Sequence, residues 1–289
     1  MNIKQNEVLN KAYGLMNKCR VCPRGCGVNR LEDEIGYCGI GKDMLVSSAG
    51  PHFGEESVLV GRAGSGTIFF AGCNLLCVFC QNYDISHLRQ GKATTPEELA
   101  RIMLHLEGRG CHNINFVTPT HITPQIMEGI KIAREAGLKV PTVYNCGGYE
   151  SVETLRLLEG LIQIYMPDFK YSQEAPAKRY SNAADYPQVC KAALREMHRQ
   201  VGDLQITDGL AVRGLLVRHL VLPNDQAGSK GVIDFLADEI SPNTFINVMN
   251  QYRPMYKALA HPGINRYPTA AEFMQVYNCA KEKGLRLAD

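Results

Sequence analysis

Three cysteines, Cys73, Cys77 and Cys80, fall within the stretch TIFFAGCNLLCVFCQNYDIS (67–86) in the spacing C-x3-C-x2-C. An apolar run at residues 67–71 leads straight into them, which places the thiols on a loop that follows a strand. Thiolates at this spacing can converge on one iron–sulfur cluster, because a loop folds around it. Four protein ligands suit a cluster that only passes electrons. Three leave one metal position open, and an open position is what chemistry needs. The competing readings are a structural site completed by a distant residue, and three unrelated buried thiols. Neither explains why the group falls at the end of a strand.

A second set, Cys19, Cys22, Cys26 and Cys38, reads C-x2-C-x3-C-x11-C among Gly25, Gly27, Gly36 and Gly39. Four thiolates on Gly-rich turns suit a structural zinc and equally an auxiliary iron–sulfur cluster. Arg20, Arg24 and Arg30 lie among them and read as solvated arginines beside a metal loop. The chain has eleven cysteines, seven of them in residues 19–80, and the others, Cys111, Cys146, Cys190 and Cys279, are scattered. In a cytoplasmic chain of this size such clustering points to metal or redox chemistry, not to a disulfide framework.

The elements that must position these loops alternate from residue 67 onward. Short apolar strands are expected at 67–72, 113–119, 140–145, 162–169, 215–223 and 245–250. Helices are expected between them. Thr95 with Pro96 and Glu98 reads as an N-cap, a first-turn proline and a capping-box glutamate, and Thr269 with Glu272 repeats the box. Thr123-Pro124 starts another helix, Gly137 stops it, and Ser151 caps the next. Further helical patterns cover 184–201 and 228–239. Six strand–helix units imply a parallel sheet, because parallel strands need crossover connections. Functional groups should then gather after the carboxyl ends of the strands. The fold expected is α/β, a parallel sheet either open or closed toward a barrel over 67–289, with a Cys-rich N-terminal extension over 1–66.

The 289 residues are enough to bury a substantial core. The net charge of +2 carries no global signal for nucleic acid. No apolar run reaches the ~18–20 residues of a membrane span, and the N-terminus lacks an apolar signal core, so a cytoplasmic protein is expected.

The loop GCNLLCVFCQN, with Phe79 before its third cysteine, resembles the cluster loop of radical S-adenosylmethionine enzymes over roughly residues 67–252. The stretches CPRGCGVNR (22–30), GSGTIFF (64–70), CQNYDIS (80–86), MPDFKY (166–171) and RHLVLP (218–223) resemble an uncharacterised branch related to pyruvate formate-lyase activating enzymes. The resemblance implies a partial (β/α)6 barrel of the TIM type. It implies a 4Fe-4S cluster on Cys73, Cys77 and Cys80, with S-adenosyl-L-methionine chelating the open iron. Reductive cleavage of that cofactor then yields a 5′-deoxyadenosyl radical that abstracts a hydrogen atom. A flavodoxin- or ferredoxin-type reductant is implied, and a protein substrate presenting a glycine, as in glycyl-radical activation.

Within that resemblance the strand ends acquire roles. Phe79, Asn82, Thr118, Asn145, Gly147, Gly148, Arg218 and Asn250 are expected to contact the cofactor. Activating enzymes generally carry Gly-Gly-Glu after the second strand, where this chain has TPTH (118–121), a departure. Asp168 and Lys170 alternate with Phe169, so both face one side of a strand, and they are the expected catalytic pair. Arg218 sits amid Leu and Val and needs an anion, for which the cofactor carboxylate is a candidate. His219 points the other way and reads as structural. Three rival functions remain: hydrogen abstraction from a small molecule or another side chain, an electron carrier with two clusters, and a zinc-bound interaction module.

Overall fold

The computed structural model of the chain describes residues 3–288. Its strands are β1 (Met44–His52), β2 (Ser65–Phe70), β3 (Lys92–Thr94), β4 (Ile114–Val117), β5 (Thr142–Cys146), β6 (Ile164–Pro167), β7 (Gln205–Thr207), β8 (Leu210–Leu220), β9 (Phe245–Met249) and β10 (Arg286–Leu287). They form one sheet in the order β10-β9-β8-β6-β5-β4-β2-β1-β3, with β7 added on β8. The run from β2 to β10 is parallel, and β1 lies antiparallel to both β2 and β3. The ends of the sheet do not pair with each other, so the barrel is partial.

The six expected strands are β2, β4, β5, β6, β8 and β9. Their alternation separates two cores. Val143, Ile164, Met166, Leu216 and Phe245 face inward with Leu59, while the larger core lies between the sheet and the helices outside it. The helix Pro96–Gly108 carries the full Thr95–Glu98 capping box, and Ala270–Glu282 carries the Thr269–Glu272 box. Ser151 accepts from Thr154 N–H at the start of Val152–Leu157. Each cap satisfies amides that the first turn leaves without partners.

Three features lie outside the sequence expectation. A helix, Ile3–Asn17, opens the described chain, and its apolar pattern is too weak to read as amphipathic. β1 joins the main sheet from within residues 1–66, and its half-exposed face blurs the period of two. The β1–β2 connection crosses to the far side of the sheet: Glu55 reaches Arg218 on β8 and Glu56 reaches Asn247 on β9. It thereby ties together elements from the two ends of an open sheet.

Candidate active site

The cysteine loop leaves β2 through Gly72, whose φ of 82° belongs to the left-handed region that glycine tolerates. Leu76 follows at φ 51°, a costly conformation for a branched residue, and it turns the chain between Cys73 and Cys77. The loop is pinned from outside. Val78 N–H donates to Tyr180 O at 2.9 Å, and Lys257 N–H donates to Val78 O at 2.9 Å. Phe79 is buried edge-on against Tyr171 and Tyr252, so it anchors the loop between Cys77 and Cys80.

Each sulfur has a polar contact. Leu75 N–H donates to Cys73 Sγ at 3.4 Å, Ser181 Oγ donates to Cys77 Sγ at 2.9 Å, and Cys80 Sγ lies 3.1 Å from Ser86 Oγ. Burial, then the nearby Cys77, pushes the Cys73 thiol up to about 12. Burial also raises Cys77, and the Lys170 cation pulls the other way. Thiols held protonated in this way give up their protons when a metal binds. Among the described residues, no three or more His, Cys, Asp or Glu side chains already surround a single ion position. A four-iron cluster does not require that, because each thiolate binds a different iron. Three soft ligands on one loop, with hydrogen-bond donors at the sulfurs, fit such a cluster.

Beside the loop, the carboxyl ends of β5, β6 and β8 build a charged network. Lys170 Nζ meets Asp168 Oδ2 at 2.6 Å, and Arg218 Nε meets Asp168 Oδ1 at 3.0 Å. Arg218 also donates to Asn145 Oδ1 at 2.9 Å and to Glu55 Oε2 at 3.3 Å. The backbone sets this up, since Phe169 N–H donates to Arg218 O at 2.8 Å and holds the end of β6 against β8. Burial alone would raise the Asp168 carboxyl, but the Lys170 and Arg218 cations outweigh it and hold the group below its usual range. Burial works against the charge of Lys170 too, and Asp168 overcomes it, leaving the ammonium firmly protonated. Gly147 brings the β5 turn against the cluster loop: a Cβ there would stand 2.7 Å from Leu75 Cδ1 and 3.7 Å from Lys170 Cε.

The structure therefore gathers Cys73, Cys77, Cys80, Phe79, Asn145, Gly147, Asp168, Lys170 and Arg218 around one end of the sheet. Thr118 follows β4 at φ 61° and donates its N–H to Asn145 O. Gly148, at φ 76°, packs against Asp168 O, Cys190 and Tyr186 and leaves no room for a side chain. Asn82 and Asn250 are exposed. The anion that Arg218 requires is present in the chain itself, as Asp168 and Glu55. His219 is buried between Phe169 O at 2.7 Å and Ser229 Oγ at 2.8 Å, a satisfied structural histidine.

Sequence reasoning missed three kinds of residue. Glu55 and Glu56 sit in a segment without periodicity, so nothing marked them as inward-facing. Asn115 stands in mid-strand, and its side-chain amide is fully buried with neither atom partnered. Glu150, 2% exposed, accepts from Thr120 Oγ1 at 2.7 Å and from Tyr144 OH at 3.2 Å, linking the loops after β4 and β5. Burial pushes its carboxyl up to about 7 against those hydrogen bonds. The signal for Glu150 was its place in NCGGYE, four residues beyond the end of a buried strand.

Comparison with known proteins converges on the same loop. A protein of Methanocaldococcus jannaschii described only as uncharacterised is 34% identical over 96% of this chain and 78% of its own length. A second uncharacterised protein of that organism is 26% identical over 93% of this chain and 79% of its own. Among solved structures, a radical SAM methyltransferase from Sphaerobacter thermophilus superposes with a TM-score of 0.54 at 14% identity. That match covers 77% of this chain and 65% of the methyltransferase, and at such identity it speaks for the fold. Residues 67–201, which begin with β2 and run through the cysteine loop and the Asp168–Lys170 pair, match the family described as the radical SAM superfamily. With its three-thiol loop at the mouth of a partial barrel, the chain belongs to the radical SAM superfamily, whose members use a 4Fe-4S cluster and S-adenosylmethionine.

Proposed function

We propose that the chain abstracts a hydrogen atom from a small polar molecule held inside the barrel, below the cysteine loop. With a 4Fe-4S cluster on Cys73, Cys77 and Cys80 and S-adenosylmethionine beside it, reductive cleavage supplies a 5′-deoxyadenosyl radical. The chain's own residues orient and shield. Gly147 lets the β5 turn close on the cysteine loop and Gly148 lets it close on the end of β6, Thr118 and Asn145 offer polar groups beside the ligand, and Phe79 anchors the loop. Lys170 keeps a fixed positive charge next to Cys77, Asp168 holds Lys170 in place, and Arg218 holds Asp168. Asn82 and Asn250, being exposed, can reach only the rim of such a ligand.

The carrying observation is a pair of orphaned polar groups in the interior. Asn115 is in register with Val143, an inward residue, so its amide faces the barrel, and neither of its polar atoms has a partner. Glu56 bonds Asn247 through one oxygen and leaves Oε2 buried and unpartnered. Each such group costs about 1–3 kcal/mol, so their retention points to a ligand that satisfies them. The ligand offers hydrogen-bond donors to Glu56 and both donor and acceptor to Asn115.

A second reading follows the branch resemblance: the hydrogen comes from a glycine of a partner protein. The exposed apolar side chains of Leu88, Met255 and Leu259 favour it. They flank the segment that stacks Tyr256 on Tyr83 beside the cysteine loop, a surface that also suits a flavodoxin- or ferredoxin-type reductant.

The test measures 5′-deoxyadenosine from the reconstituted, reduced protein, with cell extract split by dialysis. Stimulation by the dialysable fraction, weakened by Asn115→Ala, supports the small-molecule reading. Stimulation by the retained fraction alone, with a glycyl-radical signal in electron paramagnetic resonance, transfers the assignment to a partner protein. No product under any condition overturns both.

A further inference from the structure

We propose that Cys19, Cys22, Cys26 and Cys38 form a tetrathiolate metal centre and that Arg30 is its buried counter-cation. The proposal stands apart from the substrate reading above. It starts from a cation without an anion. Arg30 is 1% exposed, gives Nε to Gly41 O at 2.9 Å and Nη1 to His121 O at 2.5 Å, and leaves Nη2 buried without a partner. Both partners are neutral carbonyls. A guanidinium buried in this way is costly unless negative charge stands close to it.

The nearby group able to supply that charge is the cysteine set. Cys38 Sγ lies 3.9 Å from Ile40 O, the carbonyl next to the Gly41 O that Arg30 Nε holds, so this sulfur and the cation meet the same short stretch of chain. Cys19, Cys22 and Cys38 are buried, Cys26 is half-buried, and none is in a disulfide. The loop folds to bring them together. Cys19 N–H donates to Val28 O at 2.8 Å, Gly27 N–H to Cys19 O at 3.0 Å, and Gly25 N–H to Cys22 O at 3.1 Å. Tyr37 N–H then donates to Cys26 Sγ at 3.2 Å, which returns the chain at Cys38 to the first turn. Backbone donors at sulfur are a feature of thiolate ligands.

Four thiols that take up one zinc ion, or one 4Fe-4S core of charge +2, release four protons to solvent and leave a centre of charge −2. Arg30 offsets that charge. Among the described residues these sulfurs do not stand around a single ion position, as one zinc would need; a four-iron cluster, in which each thiolate binds a different iron, does not need it, so the arrangement favours the cluster over zinc. The centre also has a mechanical partner. A Cβ on Gly72 would come within 2.6 Å of Ile40 Cγ1 and 2.9 Å of Cys38 O, so the N-terminal loop packs directly on the residue before Cys73. Arg24 adds hydrogen bonds to Asn74 O at 2.7 Å and Ser181 O at 2.8 Å.

The experiment uses the full chain carrying Cys73→Ala, Cys77→Ala and Cys80→Ala, purified without oxygen, so that metal on the other loop is gone. Zinc, iron and acid-labile sulfide are measured per chain. About one zinc supports a zinc centre. About four irons with matching sulfide support an auxiliary cluster. In either case adding Cys22→Ser must remove the metal. A metal-free protein whose remaining cysteines all titrate as free thiols overturns the proposal. For Arg30, the rate of metal loss to a chelator is compared in Arg30→Met and Arg30→Lys. Loss at least about tenfold faster in Arg30→Met, with Arg30→Lys closer to wild type, supports the counter-cation. Unchanged loss in a folded Arg30→Met protein overturns it. If Arg30→Met does not fold, Arg30→Gln takes its place on the same criterion: loss at least about tenfold faster supports the role and unchanged loss overturns it.

Discussion

Residues 19–38 and residues 73–80 both gather thiols on a glycine-assisted loop, but their surroundings differ. The first loop has four cysteines and lies by a buried cation, Arg30, with no carboxylate paired to it among the described residues. The second has three and faces a network of both signs, in which Lys170 is neutralised by Asp168 and Arg218 by Asp168 and Glu55. A lone counter-charge suits a closed, charge-fixed centre. A balanced network suits a site where charge changes as a cofactor and a substrate arrive, because its members can share the change. The closed shell proposed for the four thiols and the open one on the three are matched by the charges behind them.

The comparison breaks most sharply at Cys77. Cys77→Ala is expected to reduce 5′-deoxyadenosine formation by about a thousandfold or more, equivalent to about 4 kcal/mol in the barrier. Metal on the N-terminal loop should stay. Product formation near wild type in Cys77→Ala would sink the assignment of the second loop as the reactive one.

Asp168→Asn strips Lys170 of its partner and leaves Arg218 with Glu55 alone. Removing one member of a buried ion pair costs about 3–5 kcal/mol, which chemical denaturation will read as a lower midpoint at unchanged slope. A loss of less than about 1 kcal/mol would mean that the network is solvated like a surface pair.

Titration offers a third distinction, since Glu150 belongs to the barrel side only. Its carboxyl is raised in the folded state to about 7 from an ordinary 4.5. The unfolded chain thus ionises first, and stability falls as pH rises from about 4.5 to about 7, by about 3 kcal/mol in total. Glu150→Gln should flatten that part of the stability profile. An unchanged profile would show that another group carries the slope.

Gly72→Ala is the mildest probe and tests the joint between the loops. A Cβ forced against Cys38 O and Ile40, at a φ of 82°, should cost about 1–3 kcal/mol and slow cofactor cleavage, while metal stays on residues 19–38. Wild-type stability in this variant would show that the two loops move independently.

Much of the fold was legible because its signals are local. The six parallel strands are short apolar runs, and the Thr95–Glu98 and Thr269–Glu272 boxes announce helix starts within four residues of sequence. The helix Ile3–Asn17, β1 and the edge strand β3 were not legible, since half-exposed or weakly patterned elements carry little period. At the site, Cys73, Cys77, Cys80 and the Asp168–Lys170 pair were legible because spacing places them on one loop or one strand face. Glu55, Glu56 and Asn115 were not, because their roles depend on what lies across the barrel.

Local spacing set out the thiols, three at one interval and four at another, and the strand ends that surround the first set. Covalent connection guarantees proximity over a few residues, so local spacing is enough for that. Which charges meet is a matter of the folded chain. Arg218 finds Asp168 50 residues away and Glu55 163 residues away, and Arg30 is buried where the sequence suggested solvent. Such pairings depend on strand order and on a loop crossing an open sheet. Neither is written in any short stretch of the chain.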